Sequence, residues 1–141
     1  MPLTIKGVYM NEVLMCLSLL VWHEARGENY KGKMSVMEVA YNRSKHEDYP
    51  NNICNVIRQP RQFSWVNKSN ISLNKPPSLV YKNVQAAKSW EESKKVAAQF
   101  LKNKTNYTNN ALFFNTRNLG VRYKITTTNG KPCKIGNHIF Y

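Results

Sequence analysis

The residues best suited to chemistry are the acids, and the 141-residue chain has only eight: Glu12, Glu24, Glu28, Glu38, Glu47, Asp48, Glu91 and Glu92. Glu24 lies in the run His23-Glu24-Ala25-Arg26-Gly27-Glu28, after an apolar stretch holding Val13, Leu14, Leu17, Leu20 and Val21. Helical spacing puts it on the face of Leu17 and Leu20, the side meant for the core. Burial disfavours the charged carboxylate and raises its pKa. A carboxyl that keeps its proton near neutral pH is what general-acid catalysis needs. The plainer alternative is a polar last turn, with Glu24 reaching solvent or pairing with Arg26. Glu28, four residues on, is the second candidate carboxylate. Its alternative role is a charge stabilising the first turn of the next helix.

These acids need elements to hold them. The apolar spacing predicts a first helix over residues 11–26, stopped by Gly27. A second begins near Tyr30 or Lys31 and ends around Ser44, with Val36, Val39, Ala40 and Arg43 inward. The short turn between them makes the two helices packing neighbours. Pro50, Pro60, Pro76 and Pro77 break the middle of the chain, which reads as loop with a helical piece near Ile53 to Arg58. Ser89-Trp90-Glu91-Glu92 reads as a capping box opening a helix to about Lys102. Leu112-Phe113-Phe114 and the run 123–128 are β-prone, around turns at Asn118-Leu119-Gly120 and Asn129-Gly130, the second a hairpin signal. The expected class is mainly α (α+β), one domain over 1–141, with short strands or a small hairpin near the C-terminus.

Gln62-Phe63-Ser64-Trp65 and Tyr107 set polar groups beside aromatic faces. Such surfaces suit sugars, and bases also stack on them. The alternative for Phe63 and Trp65 is a satellite core under a long loop. His138 reads first as a packing histidine and second as a site residue. Net charge is +13, from 21 basic against 8 acidic residues. That field favours a polyanionic partner, whether nucleic acid, an anionic membrane face or a wall polymer. The three cysteines fit no zinc spacing. Cys16 reads as a packing thiol in an apolar helix and a Cys54–Cys133 bridge as the pairing to consider, with free thiols in a reducing cytoplasm as the default. Residues 13–22 are too few to span a bilayer and no small-x-small cleavage site follows, so neither a transmembrane helix nor a signal peptide is expected.

Several ordered blocks carry a family resemblance. They are Trp22-His23-Glu24-Ala25-Arg26-Gly27-Glu28 with Tyr30-Lys31-Gly32, Val39-Ala40-Tyr41-Asn42-Arg43, Tyr49-Pro50-Asn51-Asn52-Ile53-Cys54-Asn55-Val56-Ile57, Gln62-Phe63-Ser64-Trp65, Ala111-Leu112-Phe113-Phe114-Asn115 and Ile135-Gly136-Asn137-His138-Ile139-Phe140-Tyr141. Together they resemble the SleB-type cell wall hydrolases, the spore cortex-lytic family, across about residues 12–141. The resemblance implies a lysozyme-like, mostly helical fold that cuts the glycan strand of peptidoglycan between N-acetylmuramic acid and N-acetylglucosamine. It implies Glu24 as the catalytic acid and lytic transglycosylase chemistry leaving 1,6-anhydromuramic ends. Two departures stand out. Met34 to Glu38 fills a stretch usually built of smaller residues, and Phe114-Asn115-Thr116 stands where Asn-Pro is common. The signal peptide and separate wall-binding domain usual in spore enzymes are not seen.

One carboxylate suffices for such a reaction, which a chain poor in acids can supply; a hydrolytic muramidase would recruit a second, for which Glu28 is nearest. Tyr41, Gln62, Phe63, Ser64, Trp65, Tyr107, Asn115 and His138 are the candidate substrate contacts. No metal or organic cofactor is called for. The missing export signals suggest a phage or prophage endolysin, a monomer made in the host cytoplasm that reaches the wall through a membrane lesion made by a partner. The rival classes are a basic nucleic-acid-binding module, which gives Glu24 no role, and a wall protein that binds without cutting.

Overall fold

The computed structural model describes residues 4–5, 8–60, 62–66, 73–116 and 124–141. A short antiparallel pair, β1 (Thr4–Ile5) and β2 (Val8–Tyr9), leads into α1 (Met10–Ala25). Then come α2 (Tyr30–Ser44), α3 (Ile53–Arg58), a single 3-10 turn (Ser78–Tyr81) and α4 (Val84–Lys102). The chain closes with β3 (Phe114–Asn115), β4 (Cys133–Ile135) and β5 (His138–Phe140), a sheet in the order β3-β5-β4 with both pairs antiparallel. The expected α+β class, mostly helical with short C-terminal strands, is the class observed.

The helix α2 is central. Residues 32–40 are all buried, because α1, α3, α4 and β4 all pack on it. A helix enclosed on every side carries no amphipathic stripe. Its expected inward residues Val36, Val39, Ala40 and Arg43 are indeed buried. Asn29 caps its start, accepting the Gly32 N–H at 3.0 Å, and buried Lys33 reaches back to the Glu28 carbonyl at 2.7 Å. The turn between α1 and α2 is thereby fixed from both sides.

Three expectations are corrected. Cys16 and Cys54 form a disulfide between α1 and α3, their Cα atoms 5.6 Å apart. Cys54 therefore does not pair with Cys133, which alone stays free. The reason is tertiary: α1 and α3 pack together, which spacing along the chain does not reveal. Second, α4 starts five residues before Ser89. Asn83 is the cap, accepting the Ala86 N–H at 2.9 Å, and Ser89 lies inside the helix. Third, the hairpin between β4 and β5 turns at Gly136-Asn137, with Gly136 at φ +59°. Asn129-Gly130 does form a turn, with Gly130 N–H on the Thr127 carbonyl, but among the described residues it joins no strands. Residues 124–128 are not strand, and Asn118-Leu119-Gly120 lies outside the described residues.

Candidate active site

Glu24 sits in the last turn of α1, half-buried. Burial raises its pKa above the ordinary carboxylate value, and the indole N–H of Trp65 opposes that rise only in part. Trp65 Nε1 is itself buried without a partner at regular hydrogen-bond geometry, so the carboxyl gains little from it. Arg26 does not neutralise Glu24. Its guanidinium lies over the Trp22 ring, 3.9 Å from the centroid.

A chain of rings runs from Glu24 to Glu28. His23 stacks on Trp65, centroids 4.2 Å apart and planes 8° from parallel. Trp65 meets Phe63 at 6.0 Å, Phe63 meets Phe114 at 6.1 Å, and Phe114 meets His138 edge-on at 5.2 Å. Phe63 and Trp65 are buried and belong to the main core rather than to a separate satellite cluster, so neither offers an open stacking face. Ser64 between them is exposed.

Glu28 is almost covered and fully engaged. Its two oxygens accept from Asn137, the backbone N–H at 2.7 Å and the side-chain amide at 2.9 Å. Gly136 is required here: a Cβ would stand 2.3 Å from Glu28 Oε1, and φ +59° is left-handed. The Nδ1 of buried His138 lies 3.6 Å from Glu28 Oε1, just beyond hydrogen-bond reach. Burial lowers the His138 pKa, with Glu28 pulling the other way. The neutral ring therefore packs between Phe114 and Phe140. Glu28 thus binds the β4–β5 hairpin to the turn that follows α1.

The other candidates divide. Gln62 Oε1 accepts from Arg43 Nη1 at 2.6 Å, while Arg43 Nε donates to the Leu112 carbonyl at 2.7 Å. Buried Arg43 thus ties the Phe63–Trp65 loop to the segment entering β3; burial lowers its pKa, opposed by Tyr49 and Tyr141. Asn115 is half-buried in β3 beside Phe114, its Oδ1 accepting the Thr116 N–H. Tyr107 stands apart from the rings, partly exposed, with Lys31 over it at 5.3 Å. Tyr41 lines a cavity of about 580 Å³ that Glu24 does not border.

Sequence reading passed over Glu38. It is 1% exposed in the middle of α2 and accepts from Thr105 Oγ1 at 2.6 Å and from the N–H groups of Tyr107 and Thr108 at 2.9 Å each. Its signal was a carboxylate inside an unbroken apolar run, Val36 to Ala40. Among the described residues no group of three His, Cys, Asp or Glu is placed to hold a metal ion.

A family model described as Cell Wall Hydrolase matches residues 27–141. The chain belongs to the cell wall hydrolase family. The match begins at Gly27, after Glu24, but solved members reach further. The catalytic domain of the germination-specific lytic transglycosylase SleB from Bacillus anthracis is 27% identical with a TM-score of 0.64, covering 97% of this chain and 98% of that one. The catalytic domain of Bacillus cereus SleB is 26% identical with a TM-score of 0.58, covering 97% and 94%. Curated relatives include the spore cortex-lytic enzymes of Bacillus subtilis, 28% identical over 67% of this chain, and Bacillus cereus, 27% over 94%. This chain spans 31% and 45% of their respective lengths. The SleB-type resemblance read from the motif blocks therefore stands, as does the fold it implied.

Proposed function

We propose that this chain degrades peptidoglycan, cleaving the glycan strand between N-acetylmuramic acid and N-acetylglucosamine as a lytic transglycosylase with Glu24 as its acid and base. The observation that carries this is the contrast among its acids. Glu24 alone of the eight is half-buried with a raised pKa and no ion pair among the described residues. Glu28 and Glu38 are held by backbone amides, and Glu91 pairs with Lys94 at 2.9 Å. Glu12, Glu47, Asp48 and Glu92 are exposed.

Protonated Glu24 gives its proton to the glycosidic oxygen as the bond to C1 breaks. The resulting carboxylate then takes the proton of the muramic C6 hydroxyl as that oxygen closes on C1. The 1,6-anhydro ring forms, the proton returns to Glu24, and no water is activated. A chemistry with one carboxylate fits a site whose neighbouring acid is committed to the hairpin. The SleB structures named above, one of them described as a lytic transglycosylase, support the same reading. The +13 charge supports an anionic wall polymer as the target and predicts salt-sensitive activity.

The test is digestion of purified peptidoglycan by wild type and Glu24→Gln, with the released muropeptides weighed by mass spectrometry. Anhydromuramic ends from wild type alone are expected. Reducing muramic ends would replace the transglycosylase with a hydrolase, and equal cleavage by the variant would remove Glu24 from the mechanism.

An endolysin role belongs to the same proposal: synthesis in a host cytoplasm, then passage to the wall through a lesion made by a partner. The Cys16–Cys54 disulfide favours work in an oxidising compartment. Finding the mature protein exported to the wall of cells that lack such a lesion would overturn this.

A further inference from the structure

The cavity of about 580 Å³ lies between the end of α2, the turn after it and the segments 110–113 and 124–126. Neither Glu24, Phe63 nor Trp65 borders it. Consecutive residues of an extended segment point to opposite sides. Phe114 accordingly joins the rings beside Glu28, while Phe113 stacks on Tyr141 and faces the cavity. The cavity thus lies on the opposite side of the Phe113–Phe114 segment from the rings beside Glu28.

Its lining has a definite chemistry. Lys45 and Lys124 bring ammonium groups from two separate elements. Lys45 Nζ lies 3.2 Å from the Tyr41 hydroxyl and 5.1 Å from that ring's centroid. His46 Nδ1 accepts the Asp48 N–H at 3.1 Å and has the Asp48 carboxylate 3.8 Å away, so that nitrogen is engaged within its own turn. Asp48 is the one carboxylate on the lining, and its side chain is 78% exposed. Donors therefore outnumber charged acceptors, next to the rings of Tyr41 and Phe113.

We propose that this cavity binds a short acidic peptide with small apolar side chains, its carboxylates on Lys45 and Lys124 and its aliphatic part against Tyr41 and Phe113. A phosphate polymer would use the lysines and leave the rings idle. A neutral glycan would use the rings and leave two ammonium groups unanswered. The source of such a ligand rests on the proposed function, because peptidoglycan carries peptides of this kind on its muramic residues; the binding itself does not.

The test is titration calorimetry with three probes: an alanine- and glutamate-containing peptide with two free carboxylates, chitotetraose, and inorganic polyphosphate. The proteins are wild type, the double variant Lys45→Glu/Lys124→Glu, and a control of equal net charge, Lys131→Glu/Lys134→Glu, away from the cavity. All four lysines are exposed, and matching melting curves verify folding. Peptide binding weakened 10-fold or more in the first variant only, with chitotetraose unaffected, is the expected result. No peptide binding by wild type, an equal loss in the control, or polyphosphate preferred over peptide would each overturn the site. Peptide binding with no cleavage in the muropeptide assay would instead sink the enzymatic reading and leave the site standing.

Discussion

Glu24 and Glu38 are the same residue type on two helices that pack together, yet the protein treats them in opposite ways. Glu38 is the more deeply buried, and it is answered by one hydroxyl and two backbone N–H groups. A buried carboxylate with a full set of donors is a structural fastener. Glu24 is less buried but under-supplied, facing aromatic surface and an indole N–H at poor geometry. Its charged form is only partly compensated, so it favours the proton. The lesson is that reactivity follows the balance between desolvation and donors rather than depth alone. Glu28 falls on the Glu38 side of the divide, although it is next to Glu24 among the acids of the sequence.

The contrast is open to attack at several points. Glu24→Gln removes the transferable proton but keeps the shape, and a loss of roughly 10²–10⁴-fold in wall-cleaving rate is expected, with an unchanged far-ultraviolet spectrum. A rate within a factor of two of wild type would end the comparison. Glu38→Ala is expected to behave inversely. Stranding three donors, two of them backbone N–H groups, costs about 3 kcal/mol in a urea melt by the usual penalty for unmade buried bonds. If Glu38→Ala were as stable as wild type, the fastener reading would fail. Gly136→Ala adds a methyl against Glu28 at a left-handed position and is expected to cost about 1–2 kcal/mol. It should also lower kcat through a displaced hairpin; a stability loss without any kinetic change would separate Glu28 from the site.

The smallest effect concerns pH. A raised pKa means the native state holds the Glu24 proton where the unfolded chain has released it. Stability therefore falls as pH rises from the unfolded value to the folded one, and that penalty persists above it. Glu24→Gln should be slightly more stable than wild type above that window and no more stable below it. Wild-type cleavage should decline as pH rises through the folded pKa of Glu24, because the proton donor is lost. An alkaline limb that survives in a variant with residual activity would point to another group.

Much of this was legible in the sequence because it is local. The helices α1, α2 and α3 lie close to the bounds expected from apolar spacing and chain breakers, and Asn29 and Asn52 cap the last two. The core-side placement of Glu24 followed from its distance to Leu17 and Leu20. What escaped was long-range. Glu38 meets its donors 67 to 70 residues away, and Glu28 meets Asn137 at a separation of 109. The disulfide joins residues 38 apart through helix packing. The start of α4 was missed for a different reason: Asn83 and Ser89 both carry cap-like signals, and the first in the chain prevailed.

The Glu28–Asn137 clamp also makes the molecule report on itself. Asn137 is exposed at the tip of a hairpin, where an amide would ordinarily exchange its hydrogen with solvent quickly. Here that N–H is donated to a carboxylate on the far side of a loop of more than a hundred residues. Its exchange rate is therefore a gauge of one event, the hairpin letting go of the helix that carries Glu24. One surface amide, followed by NMR hydrogen exchange, reads how firmly the β4–β5 hairpin is held to the turn after α1.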